Sequence, residues 1–272
     1  MARWDYSYLI DPVHKAQEEK MDKRIALITG ANQGVGFQVA RELANHGLTV
    51  LVGSRNLSRG EAAAKEIGSS AHAVQLDVTD RTSIAEAAHK IDAQFGRLDV
   101  LVQNAGIFST RRENLGLSLV DYAPLALPST VSLDEVKAIW ETNVFGVLAV
   151  YQEMLPLLRK SESGSIVNVS SAMGSLNLNV DPDSPYHGMF GPGYSASKAA
   201  LNAITLSMMV ELENSPIKVR LASPAFTRTA LTGYTGFETV EEGAREVVRV
   251  ALLGPDEPAG TFTQWPNQTI PW

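Results

Sequence analysis

Cysteine is absent from the chain, which removes disulfides, thiolate nucleophiles and zinc–cysteine sites from consideration. Histidine is sparse. The five residues, at 14, 46, 72, 89 and 187, show no His-x-x-x-His spacing, so no metal site is expected. No apolar run reaches the roughly 18 uninterrupted residues that a spanning helix needs. Nor is there a basic block: the net charge is −7, with Lys and Arg dispersed, which argues against nucleic acid or a membrane as partner. Residues 1–20 lack the apolar stretch and cleavage pattern of a secretory signal, and Met21 stands just before the first strand. Residues 1–22 are therefore read as an extension, native or added for expression, and 23–272 as one domain, expected to be cytoplasmic. Without a secretory route, the Asn-x-Ser/Thr triplets at Asn56, Asn168 and Asn267 read as chance matches.

What is present is a regular alternation. Short runs rich in Val, Ile and Leu recur at 25–29, 49–53, 73–76, 100–102, 165–169 and 218–222. They are near-continuous, as expected of parallel strands buried on both faces. Helical patterns separate them. Val35, Val39 and Leu43 form one stripe, ended by Gly47; Ile84, Ala88, Ile91 and Phe95 form another, ended by Gly96. Ser58-Arg-Gly-Glu61 and Ser132-Leu-Asp-Glu135 have capping-box spacing, the second predicting one long helix through Trp140, Val144, Val147 and Met154. The alternation implies an α/β fold: a single Rossmann-type doubly wound parallel sheet of about seven strands with helices on both faces. The connections 108–130 and 173–193 are longer than such a fold requires and leave carboxyl ends of strands, where ligands bind. Segments near 107–131, 172–193 and 225–240 are read as substrate walls, the alternative being surface decoration.

Thr29-Gly30-Ala-Asn32-Gln33-Gly34-Val35-Gly36 joins the first strand to the first helix. Glycines there permit a tight turn and let a pyrophosphate approach the backbone at a helix N-terminus. An acidic residue about 20 positions on would suit a ribose 2′-hydroxyl. Here no carboxylate occurs from Leu43 to Gly60, and Arg55 and Arg59 are present instead. A guanidinium fork suits a 2′-phosphate, so NADP(H) is expected rather than NAD(H). Two solvated arginines are the plainer alternative.

Tyr194 and Lys198 lie four residues apart at the start of a helical run, marked by Leu201, Ile204, Met208 and Leu212, that extends to about Glu213. A free phenol, with a pKa of ~10, is a poor acid at neutral pH. An ammonium about 4 Å away, at an effective dielectric of about 20, favours the phenolate by roughly 4 kcal/mol. That predicts a Tyr194 pKa lowered by up to roughly three units. Taken alone, the pair could equally be a surface tyrosine and lysine one turn apart.

In order along the chain stand Gly30–Gly36, Leu76-Asp77-Val78, Asn104-Ala105-Gly106, Asn143-Val-Phe-Gly146, Asn168-Val-Ser-Ser171 and Tyr194-Ser-Ala-Ser-Lys198. Over about residues 23 to 265 the chain resembles the short-chain dehydrogenase/reductase family. Ser54-Arg55 through Arg59-Gly60, with Gly260-Thr-Phe and Pro271-Trp272, resembles its NADPH-dependent carbonyl reductases. The resemblance implies hydride transfer between NADP(H) and a small carbonyl compound or alcohol, with a tetrad. Tyr194 would pass the proton, Lys198 would tune it and hold the nicotinamide ribose, Ser171 would hydrogen-bond the carbonyl oxygen, and Asn143 would hold a water leading to solvent. Asp77 and Val78 would flank the adenine, Asn104, Ala105 and Gly106 would line the cleft, and Pro224, Thr227 and Thr229 would complete the cofactor set. Phe108, Met173, Phe190, Phe226 and Tyr234 are candidate contacts for an uncharged, partly hydrophobic substrate, or ordinary loop packing. An NAD-linked secondary-alcohol dehydrogenase and a non-catalytic NADP(H)-sensing module are the alternatives.

Four departures from the family pattern stand out. Gln103 precedes Asn104 where a second Asn is usual. Gln33 replaces a basic residue common in NADP-preferring members. Ala225 follows Pro224 in place of glycine, which predicts a turn that avoids the left-handed conformation. The gap from Ser171 to Tyr194 is long, so the inserted loop would block or reshape the family's homo-oligomer, leaving dimer or tetramer open.

Overall fold

The computed structural model describes residues 23–272; the 1–22 extension lies outside the described residues. In chain order the elements are β1 (Ile25–Ile28), α1 (Gly34–Asn45), β2 (Thr49–Ser54), α2 (Leu57–Ile67), β3 (Ala71–Gln75), α3 (Arg81–Phe95) and β4 (Val100–Gln103). There follow a short α4 (Leu119–Tyr122), α5 (Leu133–Trp140), a π-helical turn (Glu141–Phe145), α6 (Gly146–Leu158), β5 (Ser165–Val169) and a short α7 (Leu176–Val180). The chain closes with α8 (Tyr194–Glu211), β6 (Lys218–Ser223), α9 (Val240–Leu252), β7 (Phe262–Gln264) and β8 (Gln268–Thr269).

The strands form one sheet in the order β3-β2-β1-β4-β5-β6-β7-β8. All neighbours are parallel except β7 and β8, where Thr263 faces Thr269 antiparallel. Strands of two or three residues leave no periodicity, so neither β7 nor β8 is among the six apolar runs read from the sequence. Side chains alternate between two buried layers. Leu27, Leu51, Leu101 and Ile166 pack on Ile84, Ile91, Met154 and Leu201 of α3, α6 and α8. Ala26, Ile28, Val52 and Val167 pack on Val39, Leu43 and Val247 of α1 and α9. Each fully buried Val, Leu or Ile contributes roughly 1.5–3 kcal/mol, which explains why both faces must be apolar. β1 lies between β2 and β4, so the order of building reverses there, and a crevice opens at the carboxyl ends of the strands. Among the described residues no helix is long and apolar enough to cross a membrane.

Several local expectations are corrected. Ser58 does not cap α2; Asn56 does, its side-chain oxygen accepting from Arg59 N at 3.0 Å. Ser132 stands at the N-cap of α5 but makes no side-chain cap bond, and the reciprocal half of the box is also missing, since the Glu135 carboxylate is turned to Ser109 and Thr110. The capping box that does form is Thr239 with Glu242 at the start of α9. The single long helix is interrupted by the π turn, which carries fully buried Asn143. The two long connections are not structureless: α4 and a 3₁₀ turn lie in one, and a 3₁₀ turn and α7 in the other.

Ala225 adopts φ +56°, the left-handed conformation the sequence argued against. The turn is held from both sides: Ala225 N donates to Ser223 Oγ at 3.4 Å, and Thr227 Oγ1 to the Pro224 carbonyl at 2.6 Å. These contacts override the preference of alanine. An L-residue in this region costs roughly 1–2 kcal/mol, while glycine forfeits about 0.5–1 kcal/mol through unfolded-chain entropy. Ala225→Gly should therefore stabilise the fold by about 0.5–1 kcal/mol, read as a melting point raised by about 1–3 °C. A lowered melting point would contradict the strain.

Candidate active site

The crevice is built by close backbone approach. Thr29 Oγ1 accepts from the N–H groups of Asn104 and Ala105, each at 3.0 Å. Asn104 Nδ2 donates to the carbonyls of Thr29 (3.0 Å) and Gly30 (3.2 Å). The end of β4 is thus tied to the loop after β1. A Cβ on Gly36 would fall 2.4 Å from Asn104 Nδ2, and one on Gly30, at φ +64°, 3.0 Å from Ala105 Cα. Gln103 turns the other way and donates to Asn168 Oδ1 at 3.0 Å within the sheet. Asn104 therefore makes the clasp by itself.

Gln33, at the N-cap of α1, offers no side-chain cap, and the first turn carries no acid. The helix N-terminus is left to an anion. Asn32 and Val35 are partly buried beside it. Thr229 from the 225–240 segment faces Gly34, its Cγ2 3.5 Å from where a Cβ would be. Arg55 and Arg59 are exposed just beyond β2, with no ion pair or side-chain hydrogen bond among the described residues. These features fit a dinucleotide carrying an extra phosphate. Asp77 Oδ1 accepts from Thr79 N at 3.0 Å and Thr79 Oγ1 at 2.7 Å, and the Val78 carbonyl lies against Gly146. Thr227 is buried; its hydroxyl serves the Pro224 turn and packs on Gly243.

The four nominated side chains converge. Tyr194 opens α8 and Lys198 follows one turn later, its Nζ 5.8 Å from the centre of the phenol ring. Lys198 is buried and donates to the Val169 carbonyl at 2.9 Å. The Ser171 hydroxyl stands near the phenol, where it acts to lower the phenol's pKa, and it caps the 172–174 turn, accepting from Met173 N at 3.2 Å. That turn lies on α8: a Cβ on Gly174 would come within 2.7 Å of the Lys198 carbonyl carbon. Asn143 Oδ1 accepts from Ile107 N at 2.8 Å, and Nδ2 donates to the Ile107 carbonyl (2.9 Å) and Ser197 Oγ (3.0 Å). Ser197 in turn donates to the Tyr194 carbonyl at 2.6 Å. Asn143 thereby links the loop after β4 to the first turn of α8.

The expected direction of the Tyr194 pKa is overturned. Burial pushes the phenol up to about 12, with the Ser171 hydrogen bond pulling only partly back. Burial likewise brings Lys198 down to about 8, so the amine is not permanently cationic. Lys198 has lost the water that stabilises its charged form and partly buried Tyr194 has lost much of it, and the ammonium is engaged with a backbone carbonyl instead of the phenol.

Of the candidate substrate contacts, Phe108 lies on Tyr194, ring centres 5.2 Å apart, and Met173 lies within the 172–174 turn that Ser171 caps. Phe226 pairs edge-on with Phe237 at 5.5 Å. Phe190 and Tyr234 are exposed, Tyr234 at φ +60°, and neither makes a ring contact with the tetrad. Sequence reasoning passed over Ser197, Gly174, Arg112, Tyr122 and Glu135. Glu135 left a signal, but that signal was read as a helix cap.

A glycine-bounded helix N-terminus beside a Tyr–Lys–Ser–Asn group whose lysine and asparagine are buried, at the switch point of a doubly wound sheet, defines a dinucleotide-linked oxidoreductase. The short chain dehydrogenase family model matches residues 24–238, and the chain belongs to that family. It is 37% identical over 258 residues to the short-chain dehydrogenase anuI of Penicillium roqueforti, covering 91% of this chain and 96% of that protein. The solved salutaridine reductase of Papaver somniferum superposes with a TM-score of 0.73 at 28% identity, covering 88% of this chain and 99% of that one. NADPH-bound carbonyl reductase from chicken fatty liver gives a TM-score of 0.74 at 25% identity, with 92% and 99% covered.

Proposed function

We propose that the chain reduces a ketone or aldehyde to an alcohol with NADPH, and in reverse oxidises the alcohol. The observation that carries this reading is the Tyr194 ring with buried Lys198 one turn along, its Nζ 5.8 Å from the ring centre, and Ser171 beside it at the crevice. Gly30, Gly34 and Gly36 with the uncapped start of α1 would hold the pyrophosphate, Arg55 and Arg59 the 2′-phosphate, and Asp77 and Val78 the adenine. The solved carbonyl reductase with NADPH bound supports that choice of coenzyme. Bound NADPH supplies the hydride.

The chain's own part is placement and proton handling. Ser171 and Tyr194 donate hydrogen bonds to the substrate oxygen and offset the charge that develops on it. Tyr194, with its pKa near 12, is protonated at neutral pH and is a donor, not a standing phenolate. When its proton passes to the alkoxide, the ammonium of Lys198 stabilises the phenolate left behind. Asn143 Oδ1 retains a second lone pair for a water leading to Lys198. The Phe108 and Met173 surroundings suit an uncharged, partly apolar small molecule, acting from solution.

Tyr194→Phe should bind NADPH as the wild type does, by fluorescence titration, yet lose turnover by about 10²–10⁴. Unchanged turnover would exclude the proton-donor role. Initial rates should favour NADPH over NADH, and Arg55→Ala should shrink that preference by about tenfold, equivalent to roughly 1.4 kcal/mol; a wild-type preference for NADH would defeat the 2′-phosphate assignment. The ammonium is present below about pH 8 and is lost as pH rises through that value. Reduction should therefore hold steady from neutral pH and fall above about 8, and a kcat/KM profile flat to pH 10 would contradict the dependence on Lys198.

A further inference from the structure

Glu135 is almost fully buried, and all of its side-chain partners lie in the wall that carries Phe108. Its Oε1 accepts from Ser109 Oγ at 2.7 Å, Thr110 N at 2.8 Å and Tyr122 OH at 3.1 Å, and its Oε2 from Thr110 Oγ1. These bonds hold its carboxyl below the ordinary glutamate range even though burial acts in the opposite direction. Glu135 has the right spacing to complete a capping box with Ser132, yet Ser132 makes no cap bond. A local stabiliser is given up for a contact with the loop. Phe108 adjoins the anchored pair Ser109-Thr110, with its ring 5.2 Å from Tyr194 and edge-on to Tyr122 at 6.4 Å. The anchored turn continues outward: Ser109 Oγ accepts from Arg112 N at 2.9 Å, and Arg112 Nη2 donates to the Ala230 carbonyl at 3.1 Å, tying this wall to the 225–240 segment.

We propose that Glu135 is a positioning residue that acts through Phe108. By fixing the 108–110 turn it holds the Phe108 ring on Tyr194, and this shapes the site to select carbonyl compounds bearing a flat, ring-sized apolar group over small aliphatic ones. The proposal rests on the reading of Tyr194 as proton donor to a substrate carbonyl. A ring presented beside that hydroxyl makes offset or edge contact with an aromatic substituent, and a short alkyl chain cannot replace that contact. Phe108 is then the specificity-determining contact, and Glu135 keeps it in register without touching substrate.

The test uses the full chain with Glu135→Ala, Glu135→Gln, Phe108→Ala and the Glu135→Ala/Phe108→Ala double variant. Acetophenone and 2-butanone are the probes, with NADPH as reductant, NADPH affinity is followed by fluorescence, and amide hydrogen exchange is measured on each variant. Glu135→Ala should lower the acetophenone to 2-butanone ratio of kcat/KM by about tenfold, equal to roughly 1.4 kcal/mol, with NADPH affinity unchanged. Glu135→Gln, which keeps an acceptor for Ser109 and Thr110, should restore most of it. The double variant should be no worse than Phe108→Ala, since both act through one ring. Exchange should quicken across 108–122 and stay put in the sheet. Equal losses on both ketones, additive losses, or unchanged exchange across 108–122 would overturn the proposal, as would a general loss of protection that Glu135→Gln fails to rescue. If the wild type reduces neither ketone, or if Tyr194→Phe retains turnover, the underlying reading fails and the selection claim falls with it. The exchange measurement still reports separately whether Glu135 anchors the Phe108 segment.

Discussion

A phenol and an ammonium that share one dry pocket set the terms for the rest of this structure. Each is held mostly out of water, so each is pushed towards its neutral form, Tyr194 upward and Lys198 downward. The two shifts converge on the same proton. Moving it from the phenol leaves a phenolate next to an ammonium, and in a poorly solvated site their attraction is far stronger than in water. Such a pair works only if it is held rigidly, because a small displacement would trade the mutual contact for unpaired buried charge. The carbonyl of Val169 receives the ammonium, Ser171 stands beside the phenol, and Gly174 lets the Ser171 turn lie flat on α8.

That rigidity comes from the ends of the strands. Residues buried on both faces of a parallel sheet leave little freedom at their carboxyl termini, and two of these termini are locked to one another. Thr29 and Asn104 tie β1 to β4. Asn143 then carries β4's loop to α8 through Ile107 and Ser197. The π turn has a reason in this arrangement. An ordinary α-helical turn there would carry α5 straight into α6, whereas the extra residue goes with an Asn143 side chain that is fully enclosed and bonded at both ends. A residue poorly suited to helix interiors is tolerated because its polar groups replace backbone partners that the loop after β4 would otherwise lack.

The fold was legible because its signal is repeated. Six apolar runs, each bounded by helical stripes, specify a doubly wound sheet even if every boundary is off by a residue or two. β1, for instance, ends at Ile28 and not at Thr29, whose hydroxyl is used by the clasp. The Tyr194–Lys198 spacing was legible for a similar reason, since helical geometry alone brings the two together. What failed were rules that assume a residue's nearest neighbours decide its role. Ser58 and Ser132 both fit the capping pattern, yet Asn56 displaces the first and the loop after β4 claims the partner of the second. Ala225 adopts the conformation its side chain disfavours because Ser223 and Thr227 hold the turn. The direction of the Tyr194 shift was misread because spacing along a helix says nothing about how much water the surrounding walls exclude.

Those walls are where the sequence is least informative. The strand ends and the first turn of α8 both lie within recognisable motifs. The 108–122 and 225–240 segments make contacts that join residues far apart in the chain. Arg112 and Ala230, 118 positions apart, are one such pair, and Glu135 reaches back 25 positions to Thr110. No periodicity predicts either contact, because each depends on one side chain meeting one backbone group across the mouth of the crevice. A chain can therefore keep the proton-transfer group while its loops alter which molecule reaches it, as long as changes in the walls leave Phe108 and the turn beside it supported.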